Sequence, residues 1–193
     1  VAVRIDQSGK FSAATLLRAM DAKLSSDSAI LHESHSVTKA TRKKSDPEVK
    51  FAKTLTGTYA VGDIVDADSG EPFVRSGDEI TEEAAQAIAE GGITEVEVLR
   101  DPDDFLILNT LREDTTASHE EALLKIYGRL RPGNPPAIDK ARELFQEKFF
   151  DPTRYRLGRV GRFRLNRKFK QDVDENEQTL LPIDFVQAIK YIL

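Results

Sequence analysis

Residues 53–100 of this 193-residue chain differ in pattern from the sequence on either side of them. Within this segment, residues 54–65 and 93–99 are rich in apolar and β-branched side chains and predict strands. The flanking sequence mostly shows the three-to-four-residue apolar spacing of helices. We therefore predict an α+β fold, in which residues 1–52 and 101–193 form one domain and residues 53–100 form an inserted β-rich subdomain.

Several helix starts are marked by capping residues. Ser12 is predicted to cap a helix over residues 11–22, and Thr81 a short helix that ends at Gly91. Ser118 and Glu121 have the spacing of a capping box, which predicts a helix beginning after Ser118.

Other boundaries are read from composition and from proline. A helix is predicted to start at Pro135 and Pro136, and a last one near Pro182, with Leu193 among its inward residues. Residues 23–50 are polar, with four basic residues over positions 39–44, and predict a loop or linker.

The strongest charge signal lies near the C-terminal end. Residues 154–170 hold eight basic side chains and no acidic one, although the whole chain has a formal net charge of −5. The alternation over residues 161–169 predicts a half-buried strand with Arg162 and Arg164 on its solvent face. Because guanidinium groups bind phosphate bidentately, this segment is a candidate nucleic-acid surface. The alternative is a solvated face whose arginines pair with the acidic remainder of the chain.

Motifs for catalysis and metal binding are missing from the sequence. It contains no cysteine, no glycine-rich phosphate loop, no GxSxG and no HExxH motif. His32 and His35 are three residues apart but lack an identifiable third ligand, and His119 lies in another predicted helix. Asp66 and Asp68 weakly resemble a calcium loop, but their spacing fits a hairpin turn better. These observations predict a non-catalytic chain without a metal site.

Composition and the two ends bear on where such a chain works. No stretch approaches the roughly 20 apolar residues that span a bilayer, so we expect no membrane contact. The absence of cysteine fits a reducing compartment, and we expect a cytoplasmic location. The chain opens at Val1 on a strand-like pattern and stops at Leu193 within a helical pattern. These ends predict a piece of a larger protein.

Three spaced runs resemble one protein family. They are RID…LLRAM over residues 4–20, IYxxxRPGxPP over 126–136 and LFxxxFFxPxRYxLxxVGRxxxN over 144–166. In this order they resemble the bacterial DNA-directed RNA polymerase beta subunit over nearly the whole chain. The chain departs from the family pattern at Asn134, where Glu is usual, and at residues 7–9, which are often basic.

The resemblance implies a role. It implies the beta lobe domain, a non-catalytic wall of the downstream DNA channel that contacts DNA near the transcription fork, with residues 53–100 resembling a beta/beta-prime module. Arg131 would lie by the non-template strand, with Arg154 nearby. The candidate nucleic-acid-binding residues are Arg131, Arg154, Arg156, Arg159, Arg162, Arg164 and Arg167.

The resemblance also implies partners and a cofactor. The expected partners are DNA, the rest of beta, beta-prime, alpha, omega and sigma factor, in an assembly that is a nucleotidyltransferase. Mg²⁺ would be bound by beta-prime, so this chain would hold no cofactor and be inactive alone. Two other functions are a protein-docking module that recruits transcription factors and an independent hydrolase. The missing motifs disfavour the hydrolase.

Overall fold

The computed structural model describes residues 1–7, 9–43, 45 and 47–192. They form two compact units: unit 1 comprises Val1–Ser25 and Asp114–Leu193, and unit 2 comprises Ser26–Glu113. Unit 2 therefore extends beyond residues 53–100 on both sides. The proportions of helix and strand confirm an α+β fold.

The elements are numbered in chain order. The helices are α1 (Ala13–Met20), α2 (Asp27–Ser34), α3 (Glu48–Leu55), α4 (Glu82–Glu90), α5 (Leu106–Glu113), α6 (His119–Leu130), α7 (Ile138–Phe149), α8 (Gly158–Phe169) and α9 (Pro182–Ile192). The strands are β1 (Ala2–Val3), β2 (Phe11–Ser12), β3 (Thr38–Thr41), β4 (Tyr59–Ala60), β5 (Ile64–Val65), β6 (Pro72–Val74) and β7 (Glu95–Leu99). A 3₁₀ turn, Ala22–Leu24, follows α1.

Unit 1 is built on α1, α6 and α7. The Ser12 hydroxyl accepts from the Ala14 backbone N–H at 3.2 Å and caps α1, as predicted. Helix α1 is buried along its whole length and packs on α6, which packs on α7. Their shared core is apolar and contains Leu16, Ala19, Met20, Ala122, Leu123, Ile126, Tyr127, Ala141 and Phe145.

The C-terminal helices complete unit 1. Helix α9 contacts both α1 and α8. The Phe185 ring of α9 meets the Phe149 ring of α7 edge to face, with centroids 6.2 Å apart. The predicted helix start at Pro182 is confirmed, while the predicted inward position of Leu193 lies outside the described residues.

Unit 2 combines a small sheet with two packed helices. Strand β7 lies between β3 and β4 with antiparallel pairing on both sides, and β5 and β6 form a separate antiparallel pair. Helices α3 and α4 pack together over a core that includes Leu55, Ile80, Ile88 and Val98. The Thr81 hydroxyl caps α4 by accepting from the Ala84 N–H at 3.2 Å, as predicted.

Two predictions in this region are wrong. Residues 23–50 are no loop, because they contain the 3₁₀ turn, α2, β3 and the first residues of α3. Within the basic run at 39–44, Lys44 lies outside the described residues. Residues 54–65 are not one strand, since α3 continues to Leu55 before the short strands β4 and β5. Phe51 and Leu55, four residues apart, are both buried and hold α3 as a helix.

Other boundaries shift slightly or are confirmed. Ser118 caps α6 by accepting from the Glu121 N–H at 3.2 Å, and the Glu121 carboxylate accepts from the Ala117 N–H at 2.8 Å. Helix α7 begins at Ile138, two residues after Pro136.

Within the described ranges, no helix has the length and apolar character needed to cross a membrane.

Candidate nucleic-acid interface

Most of the basic segment, from Gly158 to Phe169, forms helix α8, so the prediction of a strand over residues 161–169 is wrong. Arg162, Phe163, Arg164 and Leu165 alternate in character, but their exposure follows the helical repeat. The exposed residues of α8 share one side of the helix and are Arg159, Val160, Phe163, Arg164, Arg167 and Lys168. We call this side the basic face.

Arg162 lies on the opposite side of α8 and is fully buried, so the prediction that it faces solvent is wrong. Its Nη1 donates to both carboxylate oxygens of Asp184, at 2.8 and 2.9 Å. Its Nε donates to the Glu177 carbonyl at 3.0 Å and its Nη2 to the Thr179 carbonyl at 2.5 Å. The guanidinium thus joins α8, the loop before α9 and α9 itself. The pairing alternative expected a carboxylate partner for this arginine on a solvated face, whereas the pair found here is buried.

The loop that receives Arg162 is itself held by hydrogen bonds. The hydroxyl and the backbone N–H of Thr179 both donate to the Glu177 carboxylate and hold the pKa of Glu177 below its usual value. The Asp184 carboxylate also accepts from the Leu181 N–H at 2.8 Å. These contacts fix the segment against which α8 packs.

The cations of the basic face point away from this anchor. In the described part of the chain, no carboxylate oxygen lies within 4.0 Å of the guanidinium groups of Arg156, Arg164 or Arg167. Arg159 lies 4.0 Å from Glu175, and both side chains are more than half exposed, so the pair contributes little. Lys168, which was not among the predicted site residues, lies 3.9 Å from the centre of the Tyr191 ring.

Arg131 and Arg154 line one concave site in unit 1, although 23 positions separate them in the sequence. The concavity has a volume of about 330 Å³, and Lys148, Asp6 and Glu147 also line it. Arg154 forms an ion pair with Glu147. Arg131 ends α6, where its backbone N–H donates to the Tyr127 carbonyl at 2.8 Å, and its side chain is exposed. Lys148 is the third cation of this concavity and, like Lys168, was not among the predicted site residues.

Charge is divided between the two units. Unit 1 contains 19 basic and 14 acidic residues, a formal net charge of +5. Unit 2 contains 9 basic and 19 acidic residues, a net charge of −10. Although the net charge of the whole chain is negative, unit 1 is basic. Every candidate arginine belongs to unit 1.

The histidines and the acidic turn have local roles. His32 bonds to Glu97 at 2.9 Å, and the His119 ring lies 2.6 Å from the Arg18 carbonyl oxygen. Asp66 accepts from the Asp68 N–H at 3.1 Å in the turn between β5 and β6, the hairpin that the sequence predicted. Among residues 1–7, 9–43, 45 and 47–192, no group of three or more His, Asp or Glu side chains is placed to hold a metal ion.

Comparison with known proteins identifies the family. Residues 101–193 match the family described as RNA polymerase Rpb2, domain 2. The chain is 51% identical to the DNA-directed RNA polymerase subunit beta of Rhodopirellula baltica, over 99% of this chain and 15% of that protein. Proteins of the same name from Solibacter usitatus and Protochlamydia amoebophila are 39% and 36% identical over 72% and 95% of this chain, and 10% and 14% of their own lengths.

The chain thus spans at most 15% of the length of these three relatives. The likeness nevertheless extends over nearly all of its own residues, and the three runs that first indicated the family lie in both segments of unit 1. The chain belongs to the family of bacterial DNA-directed RNA polymerase beta subunits.

Proposed function

We propose that this chain is the beta-subunit lobe that forms one wall of the downstream DNA channel and contacts DNA near the transcription fork. The observation that carries the proposal is the basic face of α8, together with Arg156 just before it. Arginines on a rigid helix suit phosphate binding, because the guanidinium fork is planar and matches phosphate oxygens. Among the described residues, no carboxylate oxygen lies within 4.0 Å of Arg156, Arg164 or Arg167, and Glu175 is the exposed partner of Arg159. The surface omits Arg162, whose guanidinium is buried on Asp184.

Arg131 and Arg154 supply a second part of the proposed surface. They line the same concavity with Lys148, so three cations face two carboxylates there. Glu147 forms an ion pair with Arg154, and this pairing weakens the attraction of the arginine for phosphate. Arg131 is exposed at the end of α6 and is the residue of this pair that we assign to the non-template strand.

Nucleotide addition is proposed for the assembled polymerase and not for this chain alone. Transfer of a nucleotidyl group uses two metal ions held by carboxylates. The described residues offer no such group, so the donor set does not fit Mg²⁺. The ion would be held by another subunit. The remaining partners proposed are the rest of beta, beta-prime, alpha, omega and sigma factor, in the cytoplasm.

The test uses polymerase assembled with the full-length beta subunit. Replacing Arg131, Arg154, Arg164 and Arg167 together by Ala should shorten the lifetime of the open promoter complex, and more steeply as salt rises. Arg75→Ala is the matched control, because Arg75 is an exposed arginine of unit 2. An unchanged lifetime and salt dependence in the fourfold variant would mean that the basic surface does not bind DNA.

A second candidate function is protein docking. Val160 and Phe163 lie on the basic face and are 68% and 50% exposed. Exposed apolar side chains between cations also suit a contact with an acidic protein surface. In that case the fourfold variant would weaken assembly or factor binding and leave contacts with DNA intact.

A further inference from the structure

Unit 2 has a surface groove of its own, and none of its lining residues belongs to the basic face or to the concavity of unit 1. It runs between α3 and α4 and has a volume of about 150 Å³. Arg42 bonds to Glu48 at the start of α3 and to the Ala89 carbonyl near the end of α4, at 3.2 and 3.3 Å. The start of α3 and the end of α4 therefore lie close together, and the groove is lined by residues along both helices.

The lining of the groove includes small apolar residues. Ala89 is 1% exposed and belongs to the core of unit 2, Ala52 is partly buried against that core, and Val49 is 67% exposed. A cavity of about this volume accommodates a molecule the size of benzene. The groove is thus large enough for one bulky apolar side chain, such as Phe or Leu, from a binding partner.

The rim of the groove is mainly acidic. Glu48, Glu82 and Glu90 line it, against Lys53. In the part of the chain that the structure describes, no Lys or Arg nitrogen lies within 4.0 Å of the Glu82 or Glu90 carboxylate. Because unit 2 as a whole has a net charge of −10, phosphate groups are repelled and cations attracted.

We propose that this groove binds a basic amphipathic helix of a partner protein, which inserts one bulky apolar residue into the groove beside Ala52 and sets Lys or Arg beside Glu82 and Glu90. Helix-in-groove binding of this kind uses an apolar anchor for affinity and surrounding charges for orientation and specificity. The proposal does not depend on DNA binding by unit 1.

The test measures binding of a labelled alanine-based helical peptide, with one central Phe flanked by Lys, to the whole 193-residue chain at low salt. A peptide with Ala in place of Phe should bind about tenfold more weakly, because it loses the buried anchor. Ala52→Leu, which fills the groove, should weaken the Phe peptide by a similar factor and leave the Ala peptide unchanged.

The rim is tested by removing charge. The paired change Glu82→Gln and Glu90→Gln should weaken the Phe peptide about fivefold at low salt and less at high salt, where exposed charges are screened. Glu83→Gln is the matched control, since Glu83 is an exposed residue of the same helix turn that does not line the groove. Its affinity should stay within about twofold of the unaltered chain.

Three results would overturn the proposal. They are no binding of the Phe peptide, equal binding of the Phe and Ala peptides, or equal losses from Glu83→Gln and from the paired rim variant. The second and third would mean that cations bind the acidic unit without using the groove. If Ala52→Leu fails to fold, the two peptides and the rim variants still decide the question.

Discussion

Arg162 and Asp184 form a buried ion pair, in which Nη1 of the arginine lies 2.8 and 2.9 Å from the two carboxylate oxygens. The Arg162 side chain is 0% exposed and that of Asp184 is 3% exposed. The pair joins α8 to α9 and determines which side of α8 remains in solvent. A residue in the middle of the most basic segment therefore acts as an anchor for the arginines around it.

We predict that removing either partner of this pair destabilises unit 1. Asp184→Asn or Arg162→Met leaves a buried charge without its counterpart, which costs about 3–5 kcal/mol in the free energy of unfolding. Urea unfolding followed by circular dichroism measures this loss. A loss below about 1 kcal/mol, the range of an exposed pair, would contradict the assignment of this contact as buried.

Replacing both partners is the control for that experiment. The double variant Arg162→Met with Asp184→Leu removes both charges, so it should recover part of the stability that each single change loses. The recovery should be incomplete, because the carbonyls of Glu177 and Thr179 still lose the donors that Arg162 supplies.

The same contact explains why the sequence misled us about residues 161–169. Two arginines separated by Phe163 and followed by Leu165 have the period of a strand, and the prediction assumed that both arginines face water. Burial of Arg162 depends on Asp184, which is 22 positions away and belongs to another helix. A long-range partner of this kind leaves no periodic signal, whereas local capping by Ser12, Thr81 and Ser118 was predicted correctly.

The loop beneath Arg162 should contribute stability that depends on pH. The Thr179 hydroxyl is the main cause of the lowered pKa of Glu177 in the folded chain. A carboxyl group whose pKa is lower in the folded chain than in the unfolded chain stabilises the fold at pH values above the unfolded pKa. This stabilisation is lost as the pH falls through the folded pKa. Thr179→Val should therefore lower the urea midpoint more at pH 6 than at pH 2. An equal effect at both values would contradict this linkage.

Unit 2 is predicted to be removable when it is cut at its own boundaries. Nη1 of Arg18 donates to the Ser25 carbonyl at 2.8 Å, and its Nε lies 3.5 Å from an Asp114 carboxylate oxygen. One buried guanidinium thus contacts Ser25, where the chain leaves unit 1, and Asp114, where it returns to unit 1. Replacing residues 26–113 by a short Gly-Ser linker should leave unit 1 folded, with a cooperative thermal transition.

The matched control is deletion of residues 53–100, the boundaries that the sequence suggested. That cut removes the end of α3 and all of β7, and so leaves β3 without its partner strand. We expect this variant to aggregate or to lose cooperative unfolding. Equal behaviour of the two deletions would contradict the division of the chain into these units.

These boundaries also show what composition predicts poorly. Residues 23–50 are polar overall, yet Ile30, Leu31 and Ala40 among them are buried. Few apolar residues are needed to pack α2 and β3 against the rest of unit 2, because only one face of each element is buried. The sequence located the strand-containing region, but its edges depend on which distant elements the short segments pack against.

Arg131 is predicted to differ from the arginines of α8 in the way it binds DNA. Arg164→Ala or Arg167→Ala in the assembled polymerase should each lower the salt slope of DNA binding by about one unit, whatever the sequence. If Arg131 contacts a base edge, Arg131→Ala should cost roughly 1–3 kcal/mol at particular promoter sequences. Binding to a panel of promoters across a salt series measures both. A uniform effect of Arg131→Ala over all promoters would assign it to phosphate contact.

Photo-crosslinking from the basic face in the assembled open complex tests the proposed DNA contact most directly. A photoreactive amino acid at Val160 or Phe163, both exposed on α8, should crosslink to promoter DNA. The same group at Val65, which is 43% exposed in unit 2, is the control and should give little DNA product. We expect crosslinks from both α8 positions to DNA, because the basic face is proposed to line the DNA channel. Crosslinks from α8 to protein alone would contradict this proposal and would favour the docking function.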